Sequence, residues 1–221
     1  MMSKEVILFD LDGTLTDPQV GITKSVRHAL NAYGIQVDDL ASLCPFIGPP
    51  LHESFMKFYG FSAEKAYEAI EKYREYFRET GIYENEIYAG IEELLQKLVG
   101  EGKQLAIATS KPTVFAARIA EHFGITRYFE CIIGSELDGS RTRKSEVIAQ
   151  VLRDLAVQDL GTVVMIGDRE HDIIGARETG LDSIGVLYGY GSRDELERAG
   201  ATAIATCVVD LEKLLGLVPA N

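Results

Sequence analysis

The stretch "ILFDLDGTLTD", residues 7–17, is the part of the sequence from which the organisation of the chain can be worked out. An apolar run, residues 6–9, leads directly into two aspartates, Asp10 and Asp12. The run is typical of a buried strand, and side chains two positions apart in an extended chain point to the same side. Two neighbouring carboxylates repel each other and are costly to remove from water. The stretch therefore predicts a positively charged group beside Asp10 and Asp12.

Four further apolar runs resemble the first and alternate with amphipathic stretches. The runs are 104–109, 131–134, 163–167 and 183–187, and the amphipathic stretches are 90–102, 113–124, 145–157 and 173–180. Continuous runs of Val, Ile and Leu are typical of parallel strands buried on both faces. Their alternation with helices predicts an α/β fold with a Rossmann-like, doubly wound parallel sheet.

One long segment interrupts this alternation after the first strand. Residues 18–87 show helical patterns at 21–34, 50–60 and 62–81 and no convincing strand. The pattern predicts an all-helical cap domain, 18–87, inserted into a catalytic core made of 1–17 and 88–221. Within this cap, "FIGPP" (46–50) predicts a rigid turn, because proline restricts the backbone.

Composition narrows the classes of partner. The chain has 22 Lys and Arg against 34 Asp and Glu, a formal net charge of −12, and no long basic run, so we expect neither a nucleic acid polymer nor a membrane as partner. No stretch approaches the roughly 18 apolar residues of a membrane span. Three widely spaced cysteines, Cys44, Cys131 and Cys207, are typical of a reduced compartment. We therefore expect a cytoplasmic protein, either a monomer or a homodimer.

Chemically active side chains follow several of the predicted strands. In open α/β sheets, ligands bind at the carboxyl ends of the strands, so we expect these side chains to meet there. The candidates are Asp10 and Asp12 after the first strand, Thr109 and Ser110 after the second, Lys144 between the third and fourth, and Asp168 and Asp172 after the fourth.

Such a set suits a hard cation and a phosphate group. Oxygen ligands from Asp10, Asp12 and Asp168 are typical of Mg²⁺, which would also offset the clustered negative charge. One carboxylate could then attack phosphorus to give an aspartyl-phosphate, and a second could protonate the leaving oxygen and later activate water. Thr109 and Lys144 are expected to hold the remaining phosphate oxygens, with Arg141 or Arg143 as alternatives to Lys144.

These residues resemble the motifs of the haloacid dehalogenase-like phosphatases with a helical cap after the first strand. "DLDGT" (10–14) is similar to the first motif, Thr109 to the second, Lys144 to the third and "GDREHD" (167–172) to the fourth. "VLYGYGS" (186–192) and "FIGPP" resemble the phosphoglycolate phosphatase and 5′-nucleotidase-like group. The third motif departs from the phosphoglycolate phosphatases, because it reads "RKSEV" where they usually carry a Lys-Pro pair.

The resemblance assigns roles to individual residues. It implies Asp10 as the nucleophile and Asp12 as the general acid and base. It implies Mg²⁺ ligands from the Asp10 side chain, the Asp12 main-chain carbonyl and Asp168, with Asp172 in a supporting position. The expected phosphate contacts are Asp10, Leu11, Asp12, Thr109, Ser110 and Lys144, and the expected selectivity residues of the cap are Phe46, Ile47, Gly48 and His52.

The leading hypothesis is a Mg²⁺-dependent phosphomonoesterase acting on a small phosphorylated metabolite. A phosphomutase would use the same core and differ in the cap. A dehalogenase would use the same nucleophile, but Asp12 argues against it. A receiver-type signalling domain also has an acidic pocket with Thr and Lys, although the inserted helices and the second acidic cluster at 168–172 argue against it.

Overall fold

The computed structural model describes Lys4–Leu217, and within it the first apolar run forms strand β1 (Val6–Phe9), in which every residue is buried. Two short strands flank the inserted helices. The elements that follow β1 are, in chain order, β2 (Thr16–Asp17), α1 (Gln19–Asn31), α2 (Leu51–Tyr59), α3 (Ala63–Phe77), β3 (Glu86–Ile87), α4 (Ile91–Gly100), β4 (Gln104–Pro112), α5 (Thr113–His122), β5 (Cys131–Ser135), α6 (Lys144–Asp154), β6 (Val163–Gly167), α7 (Glu170–Glu178), β7 (Asp182–Val186), α8 (Arg193–Ala199), β8 (Ala203–Ala205) and α9 (Val208–Leu214).

The chain divides into two compact units. The core unit contains the chain up to Thr16 and from Ile87 onward, and the inserted unit spans Asp17–Glu86. The insertion expected from the sequence, 18–87, is offset from the inserted unit by one residue at each end.

The core unit is built on a six-stranded parallel sheet with the strand order β5-β4-β1-β6-β7-β8. Strand β1 therefore lies between β4 and β6, and Phe9 is in register with Ile107 on one side and Ile166 on the other. The α/β prediction with a doubly wound parallel sheet is confirmed. Because β4, β1 and β6 are neighbours and parallel, the residues that follow them come out at one edge of the sheet.

Burial on both faces explains the unbroken apolar runs of the central strands. One face is covered by α6 and α7, whose apolar side chains pack with those of the sheet. This cluster includes Val6, Leu8, Ala106, Met165, Val147, Ile148, Val151 and Ala176. In α4, buried residues recur at Ile91, Leu94, Leu95 and Leu98, the three- and four-residue spacing of a helix with one apolar face.

The inserted unit is helical apart from its terminal strand residues, Asp17 and Glu86, and has an aromatic core of its own. The sequence predicted no strand in 18–87, because the two-residue strands β2 and β3 are too short to show a pattern. Helix α1 packs against α3, and a 3₁₀ turn, Leu40–Phe46, precedes α2. The ring of Phe46 lies 5.1 Å from that of Phe55 and 5.4 Å from that of Phe58, measured between centroids. "FIGPP" thus joins the 3₁₀ turn to α2.

Several elements differ from the sequence analysis. Strand β4 continues to Pro112, three residues past the predicted end, and the short elements α8, β8 and α9 were not predicted. Strand β8 has three residues and pairs with β7 at the edge of the sheet, and so short a strand leaves little periodicity to detect. In the part of the chain that is described, no helix combines the length and apolar character needed to cross a membrane.

Candidate active site

A buried lysine joins two of the carboxylates at the carboxyl edge of the sheet. Asp10 directly follows β1 and donates its main-chain N–H to the Ile166 carbonyl, at 2.8 Å. The Nζ atom of Lys144, the first residue of α6, lies 3.0 Å from Asp10 Oδ1 and 2.7 Å from Asp172 Oδ1. It also donates to the Ala108 carbonyl, at 2.9 Å. Sequence analysis expected these residues at one rim, and the structure places them in direct contact.

Lys144 keeps its charge despite its burial. Removal from water disfavours the ammonium, but Asp10 and Asp172 more than offset this, and the pKa of Lys144 is raised above its ordinary value. Breaking a buried ion pair by removing one partner typically costs about 3–5 kcal/mol. Lys144 is therefore a fixed positive charge beside Asp10.

Three carboxylates form a group with the dimensions of a cation site. One oxygen each of Asp10, Asp168 and Asp172 lies within 4.8 Å of the others, and all three residues are buried. Burial is the main cause that raises the pKa of Asp168 well above its ordinary value of 3.8, and it also raises the pKa of Asp172. Burial therefore disfavours the charged forms of Asp168 and Asp172 unless a positive charge lies nearby.

Asp168 is held at only one of its two oxygens. Its Oδ2 accepts a hydrogen bond from the main-chain N–H of Tyr190, at 2.7 Å. Its Oδ1 is buried and finds no hydrogen-bond partner anywhere between Lys4 and Leu217. A buried carboxylate oxygen that has no hydrogen-bond partner and lies beside two further carboxylates is suited to bind a cation.

Asp172 has a structural reason for its position. It lies in the first turn of α7, and its Oδ2 accepts the main-chain N–H of Arg169, at 3.1 Å, so that it also caps this helix. Carboxylates are favoured at a helix N-terminus, where main-chain N–H groups lack partners. One oxygen of Asp172 is thus committed to the helix and the other to Lys144.

Asp12 pairs with a lysine that the sequence analysis did not single out. Lys111 Nζ lies 2.9 Å from Asp12 Oδ2, and the two side chains are 5% and 11% exposed. Burial raises the pKa of Asp12, and the Lys111 ammonium opposes that rise. Lys111 is two residues beyond Thr109, so the alternation that paired Asp10 with Asp12 could also have paired Thr109 with Lys111.

The other expected phosphate-binding residues occupy the same edge. Thr109 is buried within β4, three residues before its end, and its Oγ1 accepts the main-chain N–H of Lys111, at 3.3 Å. The Ser110 carbonyl accepts the Ser135 hydroxyl, at 2.8 Å, whereas the buried Leu11 accepts main-chain N–H groups from Leu15 and Thr16. Thr109 and Leu11 thus accept main-chain N–H groups of their own segments, and Ser110 links β4 to β5.

The two arginines that were alternatives to Lys144 have other partners. Arg141 pairs with Glu136 and donates to the Gly134 carbonyl, at 2.8 Å. Arg143 pairs with Glu178, at 3.0 Å. Of the three basic residues in this segment, Lys144 is the one in contact with Asp10.

The expected selectivity residues all belong to the inserted unit. Phe46 and Ile47 are buried there, and Gly48 has a positive φ of 100°. His52 is half-buried, its ring lies 4.3 Å from that of Tyr67, and its Nε2 finds no hydrogen-bond partner among the described residues. Of the four, His52 is the side chain with unused hydrogen-bonding capacity.

Comparison with known proteins agrees with this geometry. A family model described as haloacid dehalogenase-like hydrolase matches residues 7–186. A protein of Pseudomonas aeruginosa named 5′-nucleotidase is 53% identical over 95% of this chain and 94% of its own. A protein of Mycobacterium tuberculosis named tyrosine-protein kinase PtkA is 41% identical over 97% of this chain and 74% of its own.

A solved structure extends the similarity to three dimensions. The crystal structure of a Clostridium acetobutylicum protein, described as a predicted phosphatase, superposes with a TM-score of 0.94 and 49% sequence identity, covering 99% of this chain and 100% of that one. The family model spans the first and the fourth motif, and the buried carboxylates lie within it. The chain belongs to the haloacid dehalogenase-like hydrolase family.

Proposed function

We propose that this chain is a Mg²⁺-dependent phosphomonoesterase that acts through an aspartyl-phosphate on Asp10. One observation carries the proposal: a buried group in which Lys144 holds Asp10 and Asp172 while Asp168 presents an unpartnered oxygen. Family membership and the relatives named 5′-nucleotidase and predicted phosphatase support the same reaction class.

The side chains present fit Mg²⁺. When all are ionised, the carboxylates of this group exceed the two ammonium groups of Lys111 and Lys144 by two negative charges. The four carboxylates are Asp10, Asp12, Asp168 and Asp172. Hard oxygen donors and that charge suit a divalent cation. Asp10, Asp168 and the Asp12 main-chain carbonyl would hold it, with Asp172 supporting, and when bound it would draw charge from the phosphoryl oxygens.

Asp10 is the nucleophile in this proposal. Its carboxylate attacks phosphorus, the bond from phosphorus to the ester oxygen breaks, and the phosphoryl group is transferred to Asp10. Lys144, charged and fixed by Asp172, keeps Asp10 in place and offsets negative charge on the transferred group. Thr109 contributes a hydroxyl at the same edge.

Asp12 moves the proton. Burial raises the pKa of Asp12, which favours its protonated form, and in that form Asp12 gives a proton to the departing oxygen. The resulting carboxylate then takes a proton from the water that attacks the aspartyl-phosphate, which releases inorganic phosphate and restores Asp10. Lys111 fixes the orientation of Asp12 through both steps.

A nucleoside 5′-monophosphate is the favoured substrate class, and phosphoglycolate is the second. The relative named 5′-nucleotidase covers almost the whole chain at 53% identity, and the "RKSEV" third motif also favours that group. The assay that tests the proposal measures phosphate release from p-nitrophenyl phosphate, from nucleoside 5′-monophosphates and from phosphoglycolate with Mg²⁺ present. We expect continuous turnover with at least one metabolite at a rate above that with p-nitrophenyl phosphate.

The alternatives predict different results in the same assay. A receiver-type domain would stop at one equivalent of phosphate per chain, and a phosphomutase would isomerise a sugar phosphate without releasing phosphate. A kinase would consume ATP only when a tyrosine peptide is present. Any of these in place of continuous hydrolysis would contradict the proposal.

Lys111 gives a test of the proton-transfer step. We expect Lys111→Met to lower kcat about 10-fold or more with a nucleoside 5′-monophosphate, because general acid catalysis contributes about 10²–10⁴-fold and depends on positioning. The loss with p-nitrophenyl phosphate should be smaller, since its leaving group departs without a proton. Steady-state kinetics with both substrates measures the contrast.

Lys213→Met is the matched control, because Lys213 is half exposed and lies 3.9 Å from Asp210 on α9. It should leave both rates unchanged. Equal losses on the two substrates in Lys111→Met would show that Lys111 supports the site in general and does not act through Asp12.

His52 gives a test of selectivity in the inserted unit. We expect His52→Leu to change the ratio of kcat/KM for a nucleoside 5′-monophosphate to that for phosphoglycolate by about 10-fold, the effect of one hydrogen bond to substrate of roughly 1.4 kcal/mol. Hydrolysis of p-nitrophenyl phosphate should change little, because contacts remote from phosphorus serve to position the leaving group.

His28→Leu is the control for His52, since His28 lies on α1, is 43% exposed at its side chain and contacts Glu75. Phe46 and Ile47 also belong to the proposed selectivity set, but their burial means that substitution would disturb the packing of the inserted unit as well. An unchanged substrate ratio in His52→Leu would remove His52 from the set.

A further inference from the structure

The loop after β7, residues Tyr188–Gly191, lies directly against Asp168. The main-chain N–H of Tyr190 donates to Asp168 Oδ2 at 2.7 Å, and the Asp168 residue is fully buried. Oδ1 of the same carboxylate has no hydrogen-bond partner in the described chain, Lys4–Leu217. The loop therefore engages one oxygen and leaves the other available.

The loop can lie this close to Asp168 because two of its residues are glycines, which lack side chains. A Cβ atom on Gly189 would lie 2.2 Å from the Gly13 carbonyl oxygen and 2.5 Å from Asp168 Cβ. A Cβ atom on Gly191 would lie 1.8 Å from the Asp168 carbonyl oxygen. All three distances are far shorter than any van der Waals contact, so a larger residue at either position would displace the loop from Asp168.

Glycine is also required on the opposite side of Asp168. Gly13 has φ +80°, a conformation that other residues rarely adopt, and a Cβ there would lie 2.2 Å from Asp168 Oδ2. Asp168 thus lies between the turn after β1 and the loop after β7, both of which approach it closely through glycine.

A tyrosine ties the loop to that turn. The Tyr188 hydroxyl donates to the Thr14 carbonyl at 3.1 Å, and its ring makes an edge contact with Tyr88, with 5.1 Å between ring centroids. These contacts of Tyr188 therefore fix the loop two residues before the Tyr190 N–H.

We infer that the Tyr188–Gly191 loop is a positioning element of the cation site, which makes Asp168 a ligand through Oδ1 alone and thereby favours Mg²⁺ over Ca²⁺. Ca²⁺ commonly takes six to eight oxygens at about 2.3–2.6 Å and accepts both oxygens of one carboxylate. Mg²⁺ requires a nearly octahedral set at about 2.0–2.1 Å, which single-oxygen ligands supply. The inference rests on the cation site of the proposed function and adds to it the residues that restrict Asp168.

The test measures binding of the two ions directly, without substrate. Isothermal titration calorimetry of the full chain with Mg²⁺ and separately with Ca²⁺ gives two dissociation constants for the wild type, Gly189→Ala and Gly191→Ala. We expect the alanine variants to weaken Mg²⁺ binding by about 10–100-fold, the usual cost of disturbing the residues that orient a metal ligand. Ca²⁺ binding should weaken much less, so the preference for Mg²⁺ falls.

Gly100→Ala is the matched control, because Gly100 ends α4 and a Cβ there meets no atom within 4 Å. It should bind both ions like the wild type. If the alanine variants do not fold, Tyr188→Phe tests the inference instead, because it keeps the ring and loses only the hydrogen bond from the hydroxyl to Thr14. We expect this variant to bind Mg²⁺ about 10-fold more weakly.

An unchanged ratio of the two dissociation constants in folded Gly189→Ala and Gly191→Ala, or in Tyr188→Phe, overturns the inference while leaving the proposed function intact. A wild type that does not bind Mg²⁺ overturns both. The wild-type titration therefore distinguishes failure of the loop's role from failure of the cation site.

Discussion

Asp10→Asn is expected to abolish phosphate release while the chain stays folded. An amide cannot replace the carboxylate as nucleophile, and loss of a nucleophile typically costs several orders of magnitude in kcat. We expect a decrease of roughly 10³-fold or more with every phosphomonoester, measured by single-substrate kinetics at saturating Mg²⁺.

Folding of this variant should survive, because Lys144 keeps its 2.7 Å contact with Asp172 and its hydrogen bond to the Ala108 carbonyl. Circular dichroism and thermal unfolding check this. The matched control is Asp194→Asn, since Asp194 is 75% exposed at its side chain and pairs with Arg198 on the surface of α8. More than a few per cent of wild-type activity in folded Asp10→Asn would exclude Asp10 as the nucleophile.

Metal removal is the second change with a large expected effect. Chelation should reduce activity to background, Mg²⁺ should restore it, and Ca²⁺ should restore little, because Ca²⁺ takes a larger coordination shell. Asp168→Asn should weaken Mg²⁺ binding more than Asp172→Asn, since Asp172 has its oxygens engaged by Lys144 and by the α7 N-terminus. Titration of Mg²⁺ by calorimetry, alongside the activity assay, measures both effects. Normal turnover in a chelated sample would contradict the proposed cation site.

Asp168, which we expect to bind the metal, is also expected to destabilise the fold when no metal is bound. Burial raises the pKa of Asp168 above 3.8, so the folded chain keeps a proton at pH values where the unfolded chain has lost it. Its contribution to the free energy of unfolding therefore falls as the pH rises above about 4, and at pH 7 the burial of Asp168 destabilises the metal-free fold. We expect Asp168→Asn to be more stable than the wild type with chelator at pH 7, by about 1–3 kcal/mol.

For a chain of this length that difference raises Tm by roughly 2–12 °C. Added Mg²⁺ should raise the Tm of the wild type but not that of Asp168→Asn, because only the wild type binds the ion tightly. Differential scanning calorimetry with and without Mg²⁺ measures both shifts. A wild type that is the more stable of the two with chelator would show that the charge of Asp168 is already compensated within the chain.

Much of the fold follows from local sequence pattern. Val6–Phe9 and Val163–Gly167 could be predicted as buried strands because burial on both faces demands unbroken apolar residues. The helical insertion could be predicted because amphipathic spacing persists over about seventy residues without a strand pattern. Short elements such as β8 carry too few residues for any periodicity, so their existence depends on the sheet edge against which they pair.

The chemistry of the site was also visible in part. The sequence revealed four carboxylates of the site, because a carboxylate beside a buried strand is costly to remove from water and so indicates a compensating partner. They are Asp10, Asp12, Asp168 and Asp172. In the sequence, Lys111 looks like any lysine near the end of a strand. Its partner is clear only in the structure, where β4 continues to Pro112 and the Lys111 ammonium lies 2.9 Å from Asp12. Lys144 likewise could be distinguished from Arg141 and Arg143 only in the structure. There, Arg141 pairs with Glu136 and Arg143 pairs with Glu178.

By itself, then, the sequence determined which residue types stand at which strand ends, because hydrophobic periodicity and strand alternation are local properties of the chain. Only the tertiary structure decided which carboxylate faces which ammonium, and which oxygen of Asp168 is occupied by the Tyr190 N–H. These contacts join residues such as Gly13, Asp168 and Gly189, which are far apart in sequence and meet because β1, β6 and β7 are neighbours in one parallel sheet. Strand order is a property of the whole fold, and no local pattern encodes it.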